Sequence, residues 1–249
     1  MQDTIRALAV KHQLSNAEVI AVLERTFAGM LSRWYGQDVL TMLDENALLA
    51  VAYSRDEQGN LRQRQVEPAI LRRLRKGTIP QLLHNALQRL RTANEVASYR
   101  SFEKQLRWGE IVGRDPDGSL RVEIEIEDGS PIIALCPRNR VGEHERHLLS
   151  IGQRRAWHIR QVALVMLDDI PRIDVRVDRV SKTLVTNLIK SHLPASLPIH
   201  CEKRYVGKQS LVSSPCRLPQ EALLATSEEL REYVKVLYGK KAANVLSRS

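Results

Sequence analysis

Between positions 119 and 127 polar and apolar residues alternate without exception, with Leu120, Val122, Ile124 and Ile126 on one side and Arg121, Glu123, Glu125 and Glu127 on the other. A period of two is that of a strand with one buried and one solvated face. Asp115-Pro116-Asp117-Gly118 before it and Asp128-Gly129 after it are turn sequences, since glycine accepts positive φ and proline presets the entry angle. The pattern predicts three strands joined by tight turns at 110–112, 119–127 and 131–136, a loop at 137–150, and two more strands at 154–165 and 172–179. Five short strands in about 70 residues, grouped three and two, predict a small five-stranded β-barrel of the OB type.

The flanking segments carry helical periods. Ser15-Asn16-Ala17-Glu18 is a capping box, and Val19, Leu23, Phe27, Met30, Leu31 and Trp34 recur at threes and fours until Gly36, predicting one apolar stripe on a helix. A shorter helix with Ile5, Leu8 and Ala9 on one side precedes it. Segments 39–43 and 47–53 predict paired strands followed by a turn at 56–60. From Val66 the helical pattern returns, first at 69–74 and then from Pro80 to Leu106, with Leu82, Leu83, Leu87, Leu90, Val96, Tyr99, Phe102 and Leu106 inward and Thr92-Ala93-Asn94 as a point of possible breakage.

After the barrel, Ser181 caps a predicted helix bearing Leu184, Val185, Leu188 and Ile189, which the turn at 193–198 stops. Strands are predicted at 199–204 and 210–214, a long helix at 219–238 with Leu223, Leu224, Leu230, Tyr233, Val234 and Leu237, and an edge strand at 242–246. The expected architecture is multidomain α+β: a helical, α+β N-terminal domain at 1–107, the barrel at 108–179, and a small α+β module at 180–249.

Charge sharpens these boundaries. Of the net +9, residues 1–107 carry +5, 108–179 carry −2 and 180–249 carry +6, and the middle segment has no lysine while the last holds seven of ten. Basic flanks suit nucleic acid or a larger anionic assembly, or are simply the surface of a soluble basic protein. The densest run, 71–76, reads as a solvated helix face before a nucleic-acid contact. No apolar run exceeds about seven residues and no signal-peptide pattern opens the chain, so a soluble, cytoplasmic protein without a membrane partner is expected. Cys136, Cys201 and Cys216 form no CxxC and are expected as reduced thiols.

No catalytic constellation stands out: no glycine-rich phosphate loop and no GxSxG elbow is present, so neither an enzyme nor a cofactor is expected. Glu143-His144-Glu145-Arg146-His147 would suit a metal ion on a helix, but reads as a solvated loop, and no metal site is expected. The carboxylates Asp168-Asp169 and Glu123, Glu125 and Glu127 read as surface. The binding candidates are Arg154, Arg155, Trp157, His158 and Arg160, with Arg138 and Arg140 on the loop, because cations track phosphates and rings stack on unpaired bases. Alternation along 155–159 leaves open whether Trp157 faces core or solvent. In the last segment Lys203, Arg204 and Lys208 are the candidate RNA-binding cations.

The order of parts, with the 18–35 helix followed by Gln37-Asp38-Val39, the junction YRSFEKQLRWGEIVG at 99–113, and VDRVS at 177–181 leading into Leu184, Leu188 and Leu193-Pro194, resembles the bacterial transcription elongation and antitermination factor NusA over about 200 residues. The resemblance implies an N-terminal domain that binds core RNA polymerase near its RNA exit channel, an OB barrel of the ribosomal-protein S-one type, and a KH-like module. It further implies contact with nascent single-stranded RNA and an influence on pausing, transcription termination or antitermination; for this chain the expected RNA contact is weak and made through the barrel. The chain departs from the family in having room for one KH-like module where the family has two. It also reads Ala225-Thr226-Ser227-Glu228-Glu229 where a phosphate-clamping GxxG loop would fall, and Glu228 and Glu229 would repel phosphates. The alternatives are a stand-alone RNA-binding post-transcriptional regulator acting through the barrel, and a scaffold that binds only protein.

Overall fold

The computed structural model describes residues 2–44, 47–55, 58–67, 78–125, 131–193 and 197–238. The chain is mixed α+β: among the described residues it has five α-helices, two three-stranded sheets and a closed five-stranded barrel. The expectations for 69–74, the basic run 71–76, Ile126 to Gly129 and the strand at 242–246 fall wholly or partly outside the described residues. By packing, the chain gathers into two compact units, 1–95 with 164–172, and 96–163 with 173–249. Among the described residues no helix is long and apolar enough to cross a membrane.

In the first unit, α1 (Gln2–His12) and α2 (Asn16–Tyr35) are joined by the expected capping box, with Ser15 Oγ accepting from the Glu18 amide at 3.2 Å and Glu18 Oε2 accepting from the Ser15 amide at 2.8 Å. Gly36 closes α2 in the left-handed conformation. The N-terminal half of α2 packs Val19, Val22 and Leu23 against Ile5 and Ala9 of α1 and Leu87 of α3 (Thr78–Tyr99). Its C-terminal half puts Leu31 against Val39, Ala50 and Ala52 of the sheet formed by β1 (Asp38–Leu43), β2 (Leu48–Arg55) and β3 (Leu61–Gln65). Trp34, expected on the inward stripe, is 57% exposed, because the stripe drifts off the packed face by the last turn. β1 is an edge strand whose Val39 and Leu43 amides donate to Ser32 Oγ and Glu24 Oε1 of α2, at 2.9 and 2.7 Å, so the helix shields the edge. β3 was not expected, since all five of its side chains are exposed and no period marks it; it joins the sheet by its ladder with β2.

α3 departs from expectation twice. It runs unbroken through Thr92-Ala93-Asn94, where Thr92 Oγ1 donates to the Gln88 carbonyl and Asn94 Nδ2 to Glu18 Oε1. It also stops at Tyr99 rather than reaching Leu106: a 3-10 turn follows at Arg100–Phe102, and Leu106 opens a strand. Barrel closure decides this, because the Lys104 amide donates to the Ile159 carbonyl and the Ile159 amide to the Gln105 carbonyl.

One junction of the first unit brings two histidines into contact. His12 is 4% exposed and meets His84 edge-on with ring centroids 5.3 Å apart. Burial first, then the neighbouring charges of His84, Lys11 and Arg91, holds its pKa below the ordinary 6.5. A depressed histidine pKa means the unfolded chain takes the proton first, so this contribution is intact above about pH 6.5 and is lost as pH falls through the folded value. Denaturation of the full chain between pH 7.5 and 5, buffer values set by the ordinary imidazole range near 6.5, should show the first unit weakening towards acid, and His12→Leu should flatten that slope.

The barrel comprises β4 (Leu106–Arg114), β5 (Leu120–Glu125), β6 (Pro131–Cys136), β7 (Arg154–Leu167) and β8 (Ile170–Asp178), ordered β4-β5-β6-β8-β7 and closed by β7 pairing with β4. Contact between β6 and β8 is parallel, at Leu135 and Arg176. Leu120, Val122 and Ile124 point inward and Arg121, Glu123 and Glu125 outward, as the alternation required. Gly109 permits the close pairing of β4 with β5, where it lies opposite Ile124, since a Cβ there would lie 2.6 Å from Ile124 Cγ2.

The C-terminal module packs α4 (Lys182–Ser191) and α5 (Gln220–Leu230) on one face of a sheet ordered β11-β10-β9, made of β9 (His200–Tyr205), β10 (Gln209–Ser214) and β11 (Tyr233–Tyr238). The long helix expected at 219–238 is instead a helix and a strand. Arg231 takes φ 53°, the Glu232 amide turns back to the Ser227 carbonyl, and β11 runs parallel to β10 with Val234 inside.

Candidate nucleic-acid interface

The cluster expected on β7 does not form one surface. Trp157 is completely buried, its indole N–H donating to the Gly109 carbonyl at 3.2 Å and its ring lying under the Arg179 guanidinium at 5.5 Å. His158 is also buried, with Nδ1 3.3 Å from Asp178 Oδ2. Arg155 is half-buried and reaches Glu229 at 3.5 Å. Only Arg154 and Arg160 of that group are exposed, because the C-terminal module covers β7 around Ala156, which joins the cluster of Leu184, Leu188 and Val212.

The hub of this junction is Arg179, 1% exposed. Its Nε and Nη2 grip Glu145 at 3.0 and 2.8 Å, Nη1 donates to Glu229 Oε1 and the Ala156 carbonyl, each at 2.8 Å, and Nη2 also donates to the Glu229 carbonyl at 2.9 Å. All five guanidinium N–H groups are thereby used, and the barrel and module are welded into one unit. Burial works against the charge, but the carboxylates of Glu145 and then Glu229 more than offset it and raise the pKa of Arg179. Glu229, expected to repel phosphates, is spent here and also accepts from the Ala156 amide at 3.0 Å. Residues 225–229 lie within α5, so no loop stands where a GxxG clamp was sought.

Arg204 is likewise withdrawn from the candidate cations. It forms a two-pronged pair with Glu232, with side chains 2% and 0% exposed, and donates to the Ser181 carbonyl at 2.6 Å. Glu232 accepts further from the Gly207 amide and Ser210 Oγ. Lys203 and Lys208 stay exposed. Arg140 is half-buried and its carbonyl receives the Arg179 amide.

Arg138 finds different company from that expected. With Arg114, Arg146 and His147 it lines a concavity of about 240 Å³ floored by Leu120 and Val141. Arg114 Nη2 is held by the Leu149 carbonyl at 2.8 Å and the Arg146 carbonyl at 3.2 Å, and Arg146 Nε by the Val141 carbonyl at 3.2 Å. Arg138 lies across Gly118, where φ is +84° and a Cβ would meet its Cδ at 3.0 Å. Arg146 reaches Glu143 at 3.5 Å, whereas Arg138 has no acidic partner among the described residues. Asp117 sits at an adjoining concavity with both carboxylate oxygens taken by Ser119, whose amide and hydroxyl hold its pKa below the usual range. Two guanidinium groups braced by carbonyls, Arg114 and Arg146, and a third, Arg138, laid across Gly118, leave N–H donors over and make an anion site suited to a phosphate. Sequence reading missed Arg114 and Arg146 because the loop that gathers them has no period.

The Glu143 to His147 segment is not a metal cluster in this fold: Glu145 is bound to Arg179 and His144 Nε2 lies 3.0 Å from the Leu230 carbonyl. Among the described residues no group of three or more His, Cys, Asp or Glu side chains is placed to hold a metal ion. Cys136, Cys201 and Cys216 are free thiols, and burial pushes the pKa of Cys136 and Cys201 up, away from thiolate chemistry. Compared with protein-family models and with curated proteins, the chain matches none.

Proposed function

We propose that the chain is a NusA-like accessory factor that binds core RNA polymerase through its N-terminal unit and touches nascent single-stranded RNA through the barrel, without enzymatic activity. The observation that carries this reading is the order of parts: a capped helix pair with a small sheet, a long helix, a closed barrel, and an αββαβ module welded to it. In this reading the barrel, whose third and fifth strands meet in parallel, is an OB barrel, and the module that follows is KH-like. The RNA contact falls to Arg114, Arg138 and Arg146 with Arg154 and Arg160 nearby in sequence on β7, rather than to Trp157 and His158. The factor acts in the cytoplasm on elongation, pausing, termination or antitermination.

The test is retention of core RNA polymerase on the immobilised full chain, beside a variant carrying Arg114→Ala, Arg138→Ala and Arg146→Ala. Both should retain polymerase, while the variant should bind single-stranded RNA about tenfold or more weakly at moderate salt and with a shallower salt dependence, since each lost phosphate contact releases fewer counterions. Failure of both to retain polymerase would discard the polymerase part. RNA binding that persisted in the wild type would then favour the second reading, a stand-alone RNA-binding regulator, for which the braced arginine concavity is the supporting observation.

A further inference from the structure

The two helices of the C-terminal module cover one face of its sheet, and among the described residues the end of the other face that carries Tyr205, Gln209 and Tyr233 is exposed. Register places Tyr205 of β9 and Tyr233 of β11 on either side of Gln209 in the central strand β10. In the same way, Lys203 and Lys235 flank Leu211 two residues along. Because side chains two apart on a strand share a face, the open side carries a row of Tyr, Gln and Tyr beside a row of Lys, Leu and Lys. Both tyrosines are exposed, at 55% and 65%, although large aromatic rings are ordinarily turned inward.

Backbone geometry fixes the pair. The Lys208 amide donates to the Tyr205 carbonyl at 2.9 Å, and the Lys208 carbonyl accepts from the Tyr233 amide at 3.0 Å, so one lysine ties together the ends of the two outer strands. Tyr205, Lys208, Gln209 and Tyr233 alone line an open concavity of about 400 Å³. The outer strands of a three-stranded sheet lie about 10 Å apart, room for a base between the rings or one stacked on each. Of the carboxylates on these strands, Glu232 is buried and paired with Arg204, while Glu202 is half-buried further along the sheet and accepts from Ser213 Oγ at 2.6 Å.

We propose that this open sheet face is a stacking site for single-stranded RNA, with Tyr205 and Tyr233 taking bases and Lys203, Lys208 and Lys235 taking the flanking phosphates. Exposed aromatic rings interleaved with cations on a carboxylate-poor surface match a chain of π-faces linked by anions. The Gln209 amide and the two phenol hydroxyls offer hydrogen bonds to a ribose 2′-hydroxyl, which selects RNA over DNA. This inference rests on the reading that the chain meets RNA and is independent of polymerase. It uses the sheet face opposite the helices, not the helical side where a GxxG loop was sought.

The experiment is fluorescence anisotropy of a labelled, unstructured RNA oligonucleotide and its DNA counterpart with the full chain. Tyr205→Ala and Tyr233→Ala should each weaken RNA binding by about fivefold or more, whereas Tyr205→Phe and Tyr233→Phe, which keep the ring, should stay within about threefold of wild type. Lys208→Ala should weaken RNA binding and lessen its salt dependence. Unchanged affinity in both alanine variants would overturn the stacking site, and equal binding of the DNA oligonucleotide would overturn the assignment to RNA. Loss of binding only in the variant lacking Arg114, Arg138 and Arg146 would overturn the tyrosine site while leaving the barrel contact standing. Failure of polymerase retention would leave this inference untouched.

Discussion

Replacing Arg179 with alanine should destabilise the unit formed by the barrel and the C-terminal module by about 3–5 kcal/mol, the cost typical of removing one partner from a buried ion network. The loss is large because among the described residues no other cation reaches Glu145, and only the longer Arg155 contact and one amide remain to Glu229. The Glu145 carboxylate would stay buried without a cation, Glu229 would keep only Arg155 at 3.5 Å and the Ala156 amide, the Ala156 and Glu229 carbonyls would lose their Arg179 donors, and a void would open over the Trp157 ring. Arg179→Lys should recover little of this, since a single ammonium cannot serve two carboxylates and two carbonyls from one fixed fork. Denaturant unfolding of the full chain should show the transition of this unit moving while that of the N-terminal unit stays. Hydrogen exchange should show α5 and the start of β7 losing protection together, because Glu229 and Ala156 share the hub. A loss under about 1 kcal/mol, on the scale of an exposed pair, would mean that the network does not weld the two parts.

Trp157→Ala should cost a similar amount, about 3–5 kcal/mol, as expected for truncating a fully buried aromatic side chain. The substitution removes the ring from the barrel interior, orphans the Gly109 carbonyl and takes away the surface on which Arg179 rests. Trp157→Phe keeps most of the apolar contact and loses the indole donor, so its cost should be nearer the 1–3 kcal/mol of one unsatisfied buried group. The phenylalanine variant also separates core from interface: under conditions where it is folded, its RNA affinity should equal that of the wild type. A tenfold weaker affinity in a fully folded Trp157→Phe variant would return this residue to the binding surface.

These two residues show where sequence reading reached and where it stopped. The strand bearing Trp157 was legible, yet 156–159 is buried on both sides, the barrel filling one face and the module the other, so alternation has nothing to report. His158 and Arg155 were misread for the same reason. At the C-terminus, Leu230, Tyr233, Val234 and Leu237 satisfy a helical spacing, while Val234 and Val236 also satisfy a strand's period of two. The contest is settled by Arg231 in the left-handed region and by the parallel ladder to β10, which is a pairing made over sequence distance. Leu106 fits the inward face of α3 by period and is a strand residue by closure. The arginine concavity was hardest to see, since Arg114, Arg138 and Arg146 come from a strand end, a 3-10 turn and a loop. The tyrosine pair is invisible for a related reason, as Tyr233 also fits the helical spacing with Leu230 and Leu237.

Elements whose signals are local can be read from the order of residues alone. These are the Ser15 to Glu18 box and the helix it opens, the alternation of β5, the turn through Gly118, the Ser181 cap of α4, and the helical and β segments that make the chain α+β. Each rests on contacts within a few residues, or on a period that one buried face imposes. Which cations are spent and which are exposed depends instead on how the chain folds back on itself. Arg179 and Arg204 look in sequence like any other arginine, and their burial follows from carboxylates 34 and 28 residues away along the chain. A charge is neutralised by whatever the fold brings within about 3 Å of it, and that proximity is a property of closure and docking that no local pattern encodes.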